Sequence, residues 1–531
     1  MALPRAFLPL RHRTFRTLWL ANLASNTGMW IQNTGAGWLM TSLDPSPIMV
    51  SLVQAATMLP VFLFALPAGA LADIIDRRLY LIGAQAWVLT MALLLAALTF
   101  SGVLGPWGLL AITFGIGAGN ALNFPAWAAT TPELVPREDL VQAIALNGIG
   151  FNLARALGPA FGGFAIAWAG AGFAFALNAF TFLWLIVALV LWRRPAAAAS
   201  TMPKEHFLSA MRVGVRFVAA SPALRATILR AVAFFLFTAA IWALLPLVVR
   251  RQLHLGPEAF GLMLTAMGAG AVGIGFALPS VRRLLDTDGI AFWGTLLACA
   301  GMGLVAAAGH WFPAAIGMVM FGMAWVTVAS TLQAVAQMVS PAWVRARAIG
   351  IYQLCFFGAL SFGAAIWGWV GDAVGLPLGL GSAAAIGAVV AVAVRPWRLD
   401  LTGPAAAPSG ARLPEPEAPA PELAGVLSAD SGRIIEMITY RVDPADRAAF
   451  LRRMAEMRRV RLRNGASVWR LYEDVAHPER WIELWSVESW TEHLREAVRL
   501  TEDDRAIVAQ AAALHGGAAP PEVARFINVV P

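Results

Sequence analysis

The stretch AGFAFALNAFTFLWLIVALVLW, residues 171–192, carries no charge over a length sufficient to cross a bilayer. A helix rises 1.5 Å per residue and needs about 20 apolar residues to traverse about 30 Å of hydrocarbon. Eleven further stretches of this kind occur, near residues 16–40, 47–72, 79–101, 107–131, 140–168, 224–249, 257–281, 289–309, 312–338, 346–371 and 375–395. In hydrocarbon each backbone N–H and C=O must be paired within its own segment, so such stretches read as helices. Composition agrees: 59% of the chain is hydrophobic and 13% charged, against roughly 25% charged in a soluble chain. The expected fold class is an all-α membrane bundle of twelve transmembrane helices in two six-helix repeats. A small α+β ferredoxin-like domain is expected to follow.

The net charge of +8 raises the question of nucleic acid. The basic residues, however, fall in short clusters between apolar stretches rather than in a stripe, which is the pattern of membrane topology. One set of loops holds Arg11, Arg13 and Arg16; Arg77 and Arg78; Arg137; Arg193, Arg194, Lys204, Arg212 and Arg216; Arg282 and Arg283; Arg345 and Arg347; and Arg395 and Arg398. The alternate loops are nearly bare, apart from Arg250 and Arg251. Basic loops face the cytoplasm, so both termini are expected there, in the cell membrane, and no nucleic-acid partner is expected. The basic N-terminus precedes a long helix with no small-residue cleavage site after a short apolar core, and it reads as a first span rather than a signal peptide. Cys299 and Cys355 lie in apolar segments without metal or redox spacing and read as packed small side chains.

Two landmarks recur at one offset. Arg282-Arg283 follows Arg77-Arg78 by 205 residues, and Pro341 follows Pro136 by 205. Gly158 and Gly163 then align with Gly363 and Gly368. A duplicated six-helix unit is expected, with the site at the repeat interface near the midplane. The expected division is 1–192 for the first half, 193–223 for a cytoplasmic central loop with an amphipathic helix in EHFLSAMRVGVRFVA, and 224–398 for the second half. A Pro/Ala-rich linker follows at 399–431, and a soluble domain of order βαββαβ, dimeric α/β-barrel-like, at 432–531.

GALADIIDRR closes the second span. Gly69 permits close helix contact, and Asp73 lies one turn from Arg77. With Leu71 and Arg78, these residues resemble the major facilitator superfamily signature G-x-L-x-D-R-x-G-R-R, although Ile74 stands where Arg is usual and Asp76 where Gly is usual. The resemblance implies a loop that latches one side of the transporter. NFPAWAATTPELVPREDLVQAIALNGIGFNLARALGPAFGG resembles the branch of enterobactin exporters, macrolide efflux proteins and transmembrane secretion effectors. Within it, Gly158, Pro159, Gly162 and Gly163 resemble the superfamily's antiporter motif, with Ala145 and Ala154 in place of two further glycines. Small residues there let the fifth span pack closely and bend.

Arg155 lies about fifteen residues, or roughly 22 Å, into that span. A charge at this depth costs about 2.5–3.5 kcal/mol on insertion scales and is expected to face the bundle interior. No Asp or Glu lies deep in any span. The expected cavity lining combines Arg155 with Asn22, Asn26, Asn33, Gln54, Asn123, Asn147, Asn152, Tyr352 and Gln353. Gln32, Gln85, Asn120, Gln333 and Gln337 are further polar residues in spans, and each such amide also serves as a helix–helix hydrogen bond. Arg155 would meet an anionic or oxygen-rich substrate, or hold the amide network. The tail has His493 and several aromatics, and its element order resembles the group that includes antibiotic-biosynthesis monooxygenases. With no Rossmann, P-loop or metal spacing, neither enzyme activity nor a cofactor is expected, and gating or dimerisation is. The function implied is secondary active, proton-coupled efflux of a small molecule such as a siderophore, a macrolide or another hydrophobic metabolite. An uptake permease, or an exporter fused to a monooxygenase-like enzyme or sensor, are the competing readings.

Overall fold

The computed structural model describes residues 5–192, 207–341, 344–399, 420–423, 432–500, 502–517 and 519–528. Most of the expected linker 399–431 and residues 193–206 of the central loop lie outside these. The chain forms two compact units. The first comprises residues 1–202, 228–333 and 352–397; the second comprises 203–227, 334–351 and 398–531.

The first unit is helical: α1 (Arg13–Leu43), α2 (Pro47–Ile74), α3 (Arg77–Phe100), α4 (Pro106–Leu134), α5 (Leu140–Leu191), most of α7 (Pro222–Leu247), α8 (Pro257–Leu284), α9 (Thr287–Ala307), most of α10 (Trp311–Met338) and α11 (Arg345–Val374), and α12 (Leu376–Ala393). Among the described residues, nine helical segments are long and apolar enough to cross a membrane. The sequence presents twelve stretches because two of them, 140–168 and 171–192, run on as the single 52-residue α5. That helix breaks at Gly170, whose φ of +80° suits glycine, which carries no Cβ to clash. The other two are α1, diluted by Asn22, Asn26, Gln32 and Asn33, and α4.

Helix starts carry local signals. Ser46 accepts a hydrogen bond from Met49 N at 3.4 Å, with Pro47 in the first turn. Asp76 accepts from Arg78 N and Leu79 N at 3.0 and 3.1 Å. The departure from glycine at this position thus supplies the N-cap of α3.

The duplicated glycines make equivalent contacts. A Cβ on Gly158 would meet Trp30 and Thr27 of α1, and one on Gly163 would meet Pro257 and Gly261 of α8. A Cβ on Gly363 would meet Leu236 of α7, and one on Gly368 would meet Ser51 and Pro47 of α2. So α5 packs on α1 and α8, and α11 on α7 and α2, through glycines that stand 205 residues apart in the sequence.

In the second unit, α6 (Phe207–Ala220) coincides with the expected amphipathic helix, and a Cβ on Gly214 would meet Arg347. The tail holds β1 (Ile434–Arg441), α13 (Arg447–Arg463), β2 (Val468–Glu473), β3 (Arg480–Val487), α14 (Trp490–Arg499), α15 (Glu502–Ala512) and β4 (Glu522–Ile527). Its sheet is antiparallel, of order β2-β3-β1-β4. In the last strand, Glu522 through Ile527 pair with Thr439 through Ile434 of β1. Alternate residues of β1 and β3 turn inward with Phe450, Met454 and Met457 of α13 to form the core.

Candidate functional site

A cavity of about 380 Å³ lies within the first unit, a volume suited to a small molecule. Both halves line it. The first half contributes Trp30, Asn33 and Thr34 of α1, Gln54, Thr57 and Met58 of α2, Asn120 of α4, and Phe151 and Arg155 of α5. The second contributes Phe235 and Trp242 of α7, Phe260 and Leu264 of α8, Trp325 and Gln333 of α10, and Tyr352, Gln353 and Phe356 of α11.

Of the residues expected in the lining, Arg155, Asn33, Gln54, Tyr352 and Gln353 come together here, joined by Asn120 and Gln333. Asn22, Asn26, Asn123, Asn147 and Asn152 are not among the lining residues. Asn22 lies on the α1 face of Asn33 but about 16 Å away along the axis, so a shared face does not bring it into the cavity. Asn123 accepts from Gln85 at 3.0 Å, and Asn147 donates to Thr131 at 3.0 Å. Asn152 donates to Gly148 O at 2.8 Å and accepts from Arg155 at 2.9 Å, so it holds the guanidinium from behind. No carboxylate is among the described residues that line it.

The sequence reading missed the aromatic wall. Trp30 and Trp242 lie 6.1 Å apart, Trp242 and Trp325 5.6 Å, Phe235 and Trp325 5.2 Å, and Phe235 and Phe356 4.3 Å. The indole Nε1 of Trp30 and of Trp242 donates to no atom of the described residues. A signal was present: Trp concentrates at membrane interfaces, whereas these three stand well inside their helices.

At the end of the bundle where α1 stops and α2 and α8 begin, the halves are bridged. Arg250, in the π-turn Val248–Gln252 after α7, donates to Thr41 at 2.8 Å and to Ser42, and it lies 5.5 Å over the Trp38 ring. Trp38 stacks on Phe260 at 6.2 Å. Of the antiporter-like residues, Gly158 and Gly162 pack on α1. Gly163 packs on α8, where a Cβ on Gly261 would stand 2.4 Å from Pro159 O. Backbone-to-backbone approach of this kind requires glycine on both helices.

Near the start of α3, Arg77 pairs with Glu133 at 2.7 Å, and Arg78 donates to Leu189 O and Val190 O at 2.9 and 2.6 Å. The side chains of Gly69 and Asp73, expected in the same latch, lie outside the described residues. The nearly buried Asp139, just before α5, binds Arg11 at 2.9 Å and His12 at 2.8 Å. The hydrogen bond with His12, then the charge of Arg11, holds its carboxyl below the usual range.

Residues 5–530 match the family model described as transmembrane secretion effector. The chain is 27% identical over 388 residues to the enterobactin exporter EntS of Escherichia coli O6:K15:H31, covering 71% of this chain and 90% of the relative. It is also 27% identical over 394 residues to EntS of Shigella boydii serotype 18, with the same coverage. The fold is similar to that of a bacterial homolog of the human lysosomal transporter Spinster in an inward-facing, unoccupied conformation, with TM-score 0.59, 13% identity, and 74% and 97% of the two chains covered. It is likewise similar to the nucleoside transporter NupG, with TM-score 0.60, 11% identity, and 72% and 99% covered.

Proposed function

The chain belongs to the transmembrane secretion effector family, transporters of the major facilitator type, and on that premise we propose that it exports an oxygen-rich, aromatic or anionic small molecule of the siderophore kind by alternating access. The observation that carries this reading is the cavity between the halves, where Arg155 and the free indole donors of Trp30 and Trp242 stand among aromatic rings. Donors in an apolar wall favour an acceptor-rich ligand, since a hydrogen bond made in low dielectric to a charged group is worth about 1.5–3 kcal/mol. The similarity to enterobactin exporters supports the direction and the class.

In this reading the chain makes twelve passes, with α5 counted as two, and both termini are cytoplasmic. Residues 1–192 and 224–398 are its halves, and 193–223 joins them. The tail 432–531, after the linker 399–431, is a ferredoxin-like module, a reading supported by the order β2-β3-β1-β4. It serves regulation or dimerisation. Protons drive export. With no carboxylate among the lining residues, the coupling proton is carried outside the cavity, and the Asp139–His12 and Glu133–Arg77 clusters are the described candidates.

Flux in inverted vesicles tests the proposal. Enterobactin or a related siderophore should accumulate on imposing a proton gradient, and Arg155→Ala should cut the rate at least about tenfold. Arg155→Lys should restore part of it, keeping the charge but not the planar fork. Wild-type rates in both variants, or export indifferent to the gradient, would overturn it; flux in the opposite direction would mark an uptake permease.

A further inference from the structure

The tail domain buries an arrangement that transport does not use. Glu436 occupies an inward position of β1, between Ile434 and Ile438, and is 6% exposed. Across from it, α14 presents His493 and Glu496, three residues apart and therefore on one face. One donor atom from each of Glu436, His493 and Glu496 lies within 4.8 Å of the others. His493 Nδ1 is 2.6 Å from Glu436 Oε1.

The surroundings fix these side chains. Glu496 accepts from Trp485 Nε1 at 3.1 Å and from Arg461 at 3.3 Å, and His493 lies against Trp490 with ring centroids 4.8 Å apart. The neighbouring Glu483 accepts from Tyr440, Arg461 and Trp469 at 3.0–3.1 Å and stands outside the three-residue group. Glu436, Glu483 and Glu496 are all buried here, with the buried guanidinium of Arg461 and the partly buried one of Arg525, whose charge acts on Glu436; three carboxylates in one interior are costly unless paired. A second feature points to a ligand. Arg461 is nine-tenths buried and lies 3.6 Å over the Trp485 ring; its Nη1 reaches Glu496, while its Nη2 donates to no atom of the described residues.

We propose that Glu436, His493 and Glu496 form a binding site for one first-row divalent cation, with Arg461 Nη2 donating to an oxygen ligand on that ion. One imidazole and two carboxylates are a donor set suited to Zn²⁺, Mn²⁺ or Fe²⁺. Ligand bonds of about 2.0–2.2 Å ask the His493–Glu436 pair, now at 2.6 Å, to part slightly, and the more widely spaced donors, within 4.8 Å, to draw in. The indole and guanidinium donors on Glu496 are the kind of outer contact that orients a ligating carboxylate. The ion would add positive charge where three carboxylates are buried together.

The full-length protein, purified in detergent without a histidine tag and stripped by chelator, tests this on equilibration with Zn²⁺, Mn²⁺ or Co²⁺. One ion per chain and a visible Co²⁺ ligand-field band are expected. His493→Ala and Glu496→Gln should each weaken binding at least about tenfold, and a Glu436→Gln, His493→Ala, Glu496→Gln triple variant should abolish it. Absence of the Co²⁺ band in the wild-type protein, a measurement that needs no variant to fold, would overturn the proposal. So would ion content in the folded triple variant equal to that of the wild type. Neither outcome bears on export, which is read separately.

Discussion

Asp139 shows how one charged residue shapes the behaviour of a loop. Its carboxyl is 6% exposed and bound by Arg11 and His12, and its pKa is lowered chiefly by the His12 hydrogen bond. A group whose folded-state pKa is depressed contributes stability above its unfolded value, near 3.9, and that stability is lost as pH falls through the folded value. The unfolding midpoint of Asp139→Asn should therefore lie below wild type by a constant amount from pH 7 to about 4, and the gap should close at lower pH. Intrinsic tryptophan fluorescence in detergent would follow it; a gap unchanged at pH 3 would refute the ion-pair account. Arg155 is legible in the sequence for a related reason, since a lone cation deep in an apolar span demands an explanation. Asp139, in a loop already rich in charge, offered no such contrast.

At the scale of elements, glycine decides how α5 and α8 meet. A Cβ on Gly163 would stand 2.6 Å from Pro257 O and 3.1 Å from Gly261 Cα. Backbone cannot yield as a side chain can, so Gly163→Ala should destabilise by about 1–3 kcal/mol and slow transport as the halves are wedged apart. Gly273, also on α8, would place its Cβ with nothing within 4 Å, and Gly273→Ala should be neutral or stabilise by about 0.5–1 kcal/mol. Thermal unfolding of the pair separates close packing from a general intolerance of alanine; equal midpoints would argue against it. Helix positions were legible because hydrocarbon enforces their length, and the glycines because two copies repeat at one offset. The cavity lining was only half legible. Asn33 and Asn22 share a helix face, and the sequence does not say at which depth that face opens. Nor does it separate a tryptophan lining a cavity from one facing lipid.

That the tail carries a small sheet was legible in the whole chain from its alternating strands after the Pro/Ala-rich run. Its docking was not, because Arg216 sits among basic loop residues that look purely topogenic. In the second unit α13 of the tail packs against α6, and Arg216 lies 3.3 Å from Glu488. Gly214 of the same helix abuts Arg347, at the start of α11. Within the second unit α6 thus touches both the tail and the first turn of α11. The pair is partly exposed, 29% and 19%, so its own coupling energy should be no more than about 1 kcal/mol. Arg216→Glu should release the tail, read as faster proteolysis within 399–431, and should change the export rate. Adding Glu488→Arg should restore both if the contact is the link. Restored protection without a restored rate would show that docking and transport are separate.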